Sequence, residues 1–323
     1  MNQLRTSAIM LVCLLLALPI YAQDAQQGTA DLGMKQGVRV GPGRNAASVG
    51  DFSYHNGAQP HRKRLLVWAD VQNGYQHDSI SHAAATIERL GYETGLYDTV
   101  IRTDSQLITK GKVLTDDGSP SLYAKNLNDF DAIFFIGVRE IKLGPQQRAD
   151  LLSFVHDDGK GFVASHAGAT AFFSWPEFGN MLGGRFDEHP WGIISAPVIV
   201  EDSHFPGMQD LPHEFEHVDE YYQIKDFSRK KAHVILRLDV SHLDMTGPLV
   251  HHHDQDFPLA WAKTYGKGRV YYSALGHDPS TWDDRAVEQM YLEAIKWALR
   301  LTDADIAPVD FKSIKPKADS KLP

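Results

Sequence analysis

The sequence predicts an α/β fold built on an open, mostly parallel sheet with helices on both faces. Two observations lead there. Short apolar runs alternate with segments of helical periodicity, and Gly or polar residues punctuate the boundaries.

Taken in order, Leu65-Leu66-Val67-Trp68-Ala69 is a buried strand. Asp78 caps a helix whose apolar positions Ile80, Ala83, Ala84, Ile87 and Leu90 share one face, with Gly91 as its expected stop. Tyr92 to Tyr97 is the expected second strand and Asp131 to Gly137 the third. Pro145 opens a helix through Val155, and Gly161 to Ser165 is the fourth strand. Pro258 to Tyr265 and Arg269 to Ala274 flank Gly266-Lys267-Gly268 as a hairpin. Asp283 begins a final helix with Val287, Met290, Tyr291, Ala294, Ile295 and Ala298 on one side. Residues 184–257 break the rhythm and read as an insertion of loops and short strands that roofs the site.

Composition narrows the classes. Residues 1–22 read as a signal peptide: Arg5 supplies the positive start, Ile9 to Ile20 is apolar but too short to span a bilayer, and Ala22 offers a small residue for cleavage. An exported protein, periplasmic or extracellular and without stable membrane insertion after cleavage, is expected. The single cysteine, Cys13, falls inside that segment, so the mature chain has no thiol for a disulfide, a nucleophile or a metal. The net charge of −9 and the absence of a basic stripe argue against a nucleic-acid partner. Residues 23–62 read as a flexible leader, 63–302 as the α/β domain and 303–323 as a tail carrying Lys312, Lys315, Lys317 and Lys321. No Walker or dinucleotide pattern surrounds Gly266-Lys267-Gly268, so neither a nucleotide nor a flavin is expected.

Sixteen histidines then demand attention. His77 follows the first strand through a loop, Arg139 follows the third, His166 follows the fourth directly, and His277 follows the last. His189 and Trp191 lie in the insertion. The run Ala164-Ser165-His166-Ala167-Gly168 has the small-x-nucleophile-x-Gly form of a strand-to-helix elbow, with imidazole at the apex. Ser165 sits one position early for a nucleophile. The stretch His213-Glu214-Phe215-Glu216-His217 matches the H-E-x-x-H peptidase pattern, but that chemistry needs a helix, and no long periodic segment flanks it. His251-His252-His253 reads as a solvated loop.

Several segments together resemble the ThuA-like (trehalose utilisation) family: Gln76-His77-Asp78-Ser79-Ile80, Gly159 to Ala167, Gly184 to Pro190, Asp219-Glu220-Tyr221-Tyr222, and Gly266 to His277. The resemblance covers most of residues 64–300. It implies a flavodoxin-like, class I glutamine amidotransferase-like fold in which His166 stands where an amidotransferase carries its nucleophilic cysteine, so glutamine hydrolysis by a thiol is not available. It also implies a small carbohydrate substrate, a disaccharide or an oxidised keto-sugar. The expected site comprises His77, His166, His189 and His277 as ligands of a divalent metal such as zinc, and His166, His277 and Glu220 as catalytic groups. Trp191, Tyr222 and Arg139 are expected to contact substrate. The same polar groups can instead form a hydrogen-bonded network without metal, and a non-catalytic carbohydrate-binding protein is the reading from a different class.

Overall fold

The computed structural model describes residues 62–311 apart from residue 116. The expected signal peptide (residues 1–22), the expected leader up to residue 61 and the expected tail beyond residue 311 therefore lie outside the described residues.

The strand β1 (Lys63–Trp68) is apolar on both faces and fully buried from Leu65 onward, the pattern of a strand covered on both sides. The helix α1 (Ser79–Thr94) starts as expected but runs past Gly91. It ends at Gly95, whose φ of 68° allows its amide to bond back to the Gly91 carbonyl. Gly91 is there for packing, since a Cβ on it would overlap the Tyr97 ring. The longer helix displaces the next strand from the expected Tyr92–Tyr97 to β2 (Tyr97–Arg102).

The middle of the chain agrees closely with expectation: β3 (Ala132–Phe135), α2 (Pro145–His156) and β4 (Gly161–Ser165) fall where the apolar runs put them. After β4 comes a 3-10 turn, His166–Thr170, and a short helix α3 (Pro176–Leu182).

Residues 184–257 differ from the expected loose insertion. They form β5 (Arg185–Glu188), β6 (Ile193–Val200), β7 (Glu214–Glu220), β8 (Gln223–Lys225) and β9 (His233–Leu238). Strands β5 and β8 make a separate two-stranded ribbon, whereas β6, β7 and β9 extend the main sheet. Their strand pattern is concealed by interruptions, with Pro197 inside β6 and charged residues along β7. The hairpin β10 (Pro258–Tyr265) and β11 (Gly268–Ser273) follows, then a 3-10 turn, Pro279–Asp283, and α4 (Arg285–Ala298). The cap of α4 is Asp284, one residue beyond the expected Asp283, and it accepts the Ala286 amide.

The main sheet has the order β2-β1-β3-β4-β11-β10-β9-β6-β7. Strands β2, β1, β3, β4 and β11 are parallel neighbours, and β10, β9, β6 and β7 continue it antiparallel. Because Ser165 pairs with Ser273, the segments leaving β4 and β11 emerge side by side at one edge. The described part of the expected tail is tied down: Ala307 accepts from His233 Nδ1 at 2.8 Å, and Phe311 lies against the guanidinium groups of Arg229 and Arg237.

The hairpin turn is tightly packed, since a Cβ on Gly268 would overlap the carbonyl oxygens of Val155 and Lys160. Replacing Gly268→Ala is expected to lower stability by about 1–3 kcal/mol, read as a shift of the denaturant midpoint with an unchanged slope.

Candidate metal-binding and catalytic site

The site is built around the turn that ends β4. His166 has φ of 30°, in the left-handed region that a side chain with a Cβ rarely adopts. Its carbonyl accepts from the Tyr272 hydroxyl at 2.9 Å, which anchors the strained residue to β11. The imidazole Nδ1 lies 2.7 Å from the Ala274 carbonyl oxygen. A carbonyl can only accept, so Nδ1 carries the hydrogen and the lone pair of the neutral ring sits on Nε2. Around Nε2 stand the Tyr222 hydroxyl at 2.8 Å, His277 Nδ1 at 3.1 Å and Glu220 Oε2 at 3.5 Å. Burial first, then the nearby Glu220, pushes the Tyr222 phenol well above its ordinary range, so it stays protonated and donates to Nε2.

Three imidazoles form a cup. The ring centres of His77, His166 and His277 are 5.1, 5.0 and 5.1 Å apart pairwise, with planes at 83°, 82° and 81° to one another. Burial, reinforced by the adjacent His166 and His277, pushes the His77 pKa down to about 4. His77 is therefore neutral at physiological pH, and its Nδ1 is buried without a hydrogen-bond partner.

Glu220, the last residue of β7, supplies the carboxylate. Burial would raise its pKa, but the adjacent His166 and His277 imidazoles outweigh this and hold it well below the usual carboxylate range. The Oε2 atom of Glu220 is 3.1 Å from His277 Nδ1, and that hydrogen bond, opposed by burial, raises the His277 pKa.

One ligand atom from each of His77, His166, Glu220 and His277 lies within 4.8 Å of all the others. Bonds of about 2.0–2.2 Å to a zinc-like ion would bring such donors to roughly 3.5 Å separations, so a small inward movement completes a four-donor shell. The donor chemistry fits as well, with imidazole and carboxylate both ordinary ligands of such ions. The Nδ1–H of His166 bonding a backbone carbonyl is the arrangement that orients metal-ligating histidines.

Beneath the cup lies Asp219, which is 1% exposed and which sequence reasoning did not select. Its carboxylate accepts the backbone amides of Glu220, Gly276 and His277 at 2.8, 2.8 and 3.0 Å. Four strand spacings separate β7 from β11 in the sheet order, about 19 Å if the sheet were flat. Contact between Asp219 and the loop after β11 requires the antiparallel half to coil over the carboxyl edge. The only signal in the sequence was the adjacency of Asp219 to Glu220.

Other expected site residues have different surroundings. His189 stands outside the four-residue group, half-exposed, with Nδ1 3.7 Å from Glu220 Oε1; Glu220 is the fourth member of the group in its stead. Tyr222 is only 2% exposed and stacks on His166 at 4.2 Å, so it supports that imidazole and offers no open face to a sugar. The Trp191 indole N–H donates to the Asp244 carbonyl and its ring packs on Phe257. The Arg139 guanidinium lies over Phe173 and Phe186.

The excluded motifs also find their places. Residues 214–220 are a strand, which separates His213 from His217 by about 13 Å, too far to share one ion. The His251 ring bonds Asp187 at 2.7 Å, and Gln223 accepts the amides of His251 and His252, which anchors that loop. Ser165 is buried within β4.

An open α/β sheet with imidazole at its elbow, and with three histidines and a glutamate gathered at the carboxyl edge, defines a histidine-elbow variant of this fold class. Residues 64–298 match the family model described as ThuA, trehalose utilisation, and the chain belongs to the ThuA family. A ThuA-like protein from Bacteroides uniformis has a similar solved structure, at 21% identity and a TM-score of 0.58, covering 77% of this chain and 95% of that one. A ThuA-like protein from Parabacteroides merdae is similar at 16% identity and a TM-score of 0.56, covering 74% and 90%. At these identities the likeness concerns the fold. No curated protein matches the chain.

Two outcomes follow from the site's electrostatics. Between pH about 6.5 and about 4 the unfolded chain protonates His77 while the folded state resists. The metal-free protein is expected to lose stability as pH falls through that window, with a shallower dependence in His77→Gln, measured by thermal melts. An Asp219→Asn substitution turns an amide N–H₂ toward backbone N–H groups; it is expected to cost about 1–3 kcal/mol and to loosen the loop carrying His277, read by hydrogen exchange of Gly276 and His277.

Proposed function

We propose that this chain is an exported, metal-dependent ThuA-family enzyme that transforms a disaccharide or keto-sugar by hydrolysis, elimination or isomerisation. The observation that carries the metal reading is the convergence of three imidazoles and a carboxylate: one ligand atom from each of His77, His166, Glu220 and His277 lies within 4.8 Å of all the others, and burial keeps His77 neutral. The carbohydrate class rests on the family's link to trehalose utilisation. Export rests on Arg5 and the apolar run Ile9 to Ile20; no helix among the described residues is long and apolar enough to cross a membrane.

His77, His166, His277 and Glu220 would hold the ion, which when bound would act as a Lewis acid toward a keto or hydroxyl oxygen. The chain's own residues do the rest. Ala274 and Tyr272 fix the orientation of His166, and Asp219 fixes the backbone that carries His277. Without an ion, the Glu220 carboxylate would favour a proton on His277, the group from which that proton could be returned.

A second reading is favoured by the 3.1 Å contact of Glu220 with His277: a carboxylate–imidazole acid–base pair working without metal.

Metal analysis of protein purified without a histidine tag separates the two. One equivalent of zinc or a similar ion in the wild type, lost in both His166→Ala and His277→Ala, is expected. No ion in the wild type after zinc is offered, or unchanged content in both variants, overturns the metal reading. Incubation with trehalose, glucosides and their 3-keto derivatives is expected to yield product, whereas saturable binding with no product under varied metals would identify a binding protein.

A further inference from the structure

Tyr75 is the aromatic group that the sequence did not single out and that the fold sets at the mouth of the cup. Its side chain is 65% exposed, yet its ring meets two of the three histidines. It stands edge-on to His77 at 4.7 Å and 77°, and nearly parallel to His277 at 5.9 Å and 21°. The other exposed tyrosines among the described residues, Tyr92 and Tyr123, make no ring contact with the histidines. What sets Tyr75 apart from those two is its position: an exposed ring in contact with the buried polar cluster offers an apolar face beside hydrogen-bonding groups.

The loop that presents it is fixed at several points. Asp70 anchors its start, accepting from Ser105 Oγ at 2.5 Å and Gln72 Nε2 at 3.1 Å. Asn73 donates to the Glu140 carbonyl at 2.6 Å, and the Glu140 carboxylate is itself held by the amide and hydroxyl of Ser174 at 2.7 and 2.8 Å. Gly74, at φ of 81°, lets the chain pass so close to Arg139 that a Cβ would overlap that side chain. The ring is thus presented by a braced loop, which lowers the ordering cost of binding.

We infer that Tyr75 is the stacking platform for a pyranose ring, laying the sugar's C–H face on the phenol with a hydroxyl-bearing edge toward His77 and His277. This inference rests on the carbohydrate reading and deepens it, because it selects cyclic sugars over open-chain polyols of the same hydroxyl chemistry. Trp191 and Tyr222 leave the role open: one is engaged by Asp244 and Phe257, the other is buried against His166.

The test is calorimetric titration of the zinc-loaded full chain with methyl β-glucopyranoside, trehalose and sorbitol, in the wild type and in Tyr75→Ala, Tyr75→Phe and Tyr75→Trp. The pyranosides are expected to bind and sorbitol not. Affinity should fall roughly three- to tenfold in Tyr75→Ala and be kept in the two aromatic variants, with zinc content and melting temperature unchanged throughout. In Tyr75→Trp the new indole should also shift its emission when a pyranoside binds, a readout independent of turnover. Equal pyranoside affinity in wild type and Tyr75→Ala, or equal binding of sorbitol, overturns the platform and leaves the carbohydrate reading standing. No pyranoside binding by the wild type overturns both.

Discussion

The hydrogen bond from His166 Nδ1 to the Ala274 carbonyl is the constraint on which the site depends. It joins the segments leaving two neighbouring parallel strands, β4 and β11, and selects the tautomer that aims a lone pair into the cup. Without it the imidazole could rotate or exchange its proton between nitrogens, and the contacts around Nε2 would lose their common focus. The strained backbone at His166 accompanies that arrangement, a positive φ at the point where the chain leaves β4 for the 3-10 turn.

Around that focus the protein separates charge states that are nearly degenerate in water. Burial keeps His77 neutral, while the Glu220 carboxylate favours a proton on His277. The rings lie about the same distance apart, so the difference comes from depth and from the placement of one carboxylate. Asp219 makes the placement possible by accepting amides from both Glu220 and the loop after β11, thereby binding the antiparallel end of the sheet to the parallel half.

Much of the parallel half is legible in the order of residues alone. Strands β1, β3 and β4 and helix α2 are bounded by strong local signals, and His166 and His277 follow directly from where the apolar runs stop. The shift of β2 from its expected place has a local cause too: Gly91 looks like a helix stop, but Tyr97 demands a glycine there for reasons of packing between elements. The antiparallel half is harder to read because Pro197 and the charged β7 hide strand periodicity, and sheet pairing compensates for what local propensity lacks.

What the sequence by itself determined is the scaffold's alternation, the confinement of the single cysteine to position 13, and an imidazole at the elbow. These depend on residue type and near neighbours, which the order of the chain states directly. Only the tertiary structure decided that Glu220 joins the cup while His189 stands at its edge, that Tyr222 is buried support, and that Tyr75 is the open ring. Each of those turns on groups far apart in sequence. Glu220, named from its motif as a catalytic group, reaches His166 from the far end of the sheet, and Tyr75, in no motif, reaches His277 from a loop braced by Glu140.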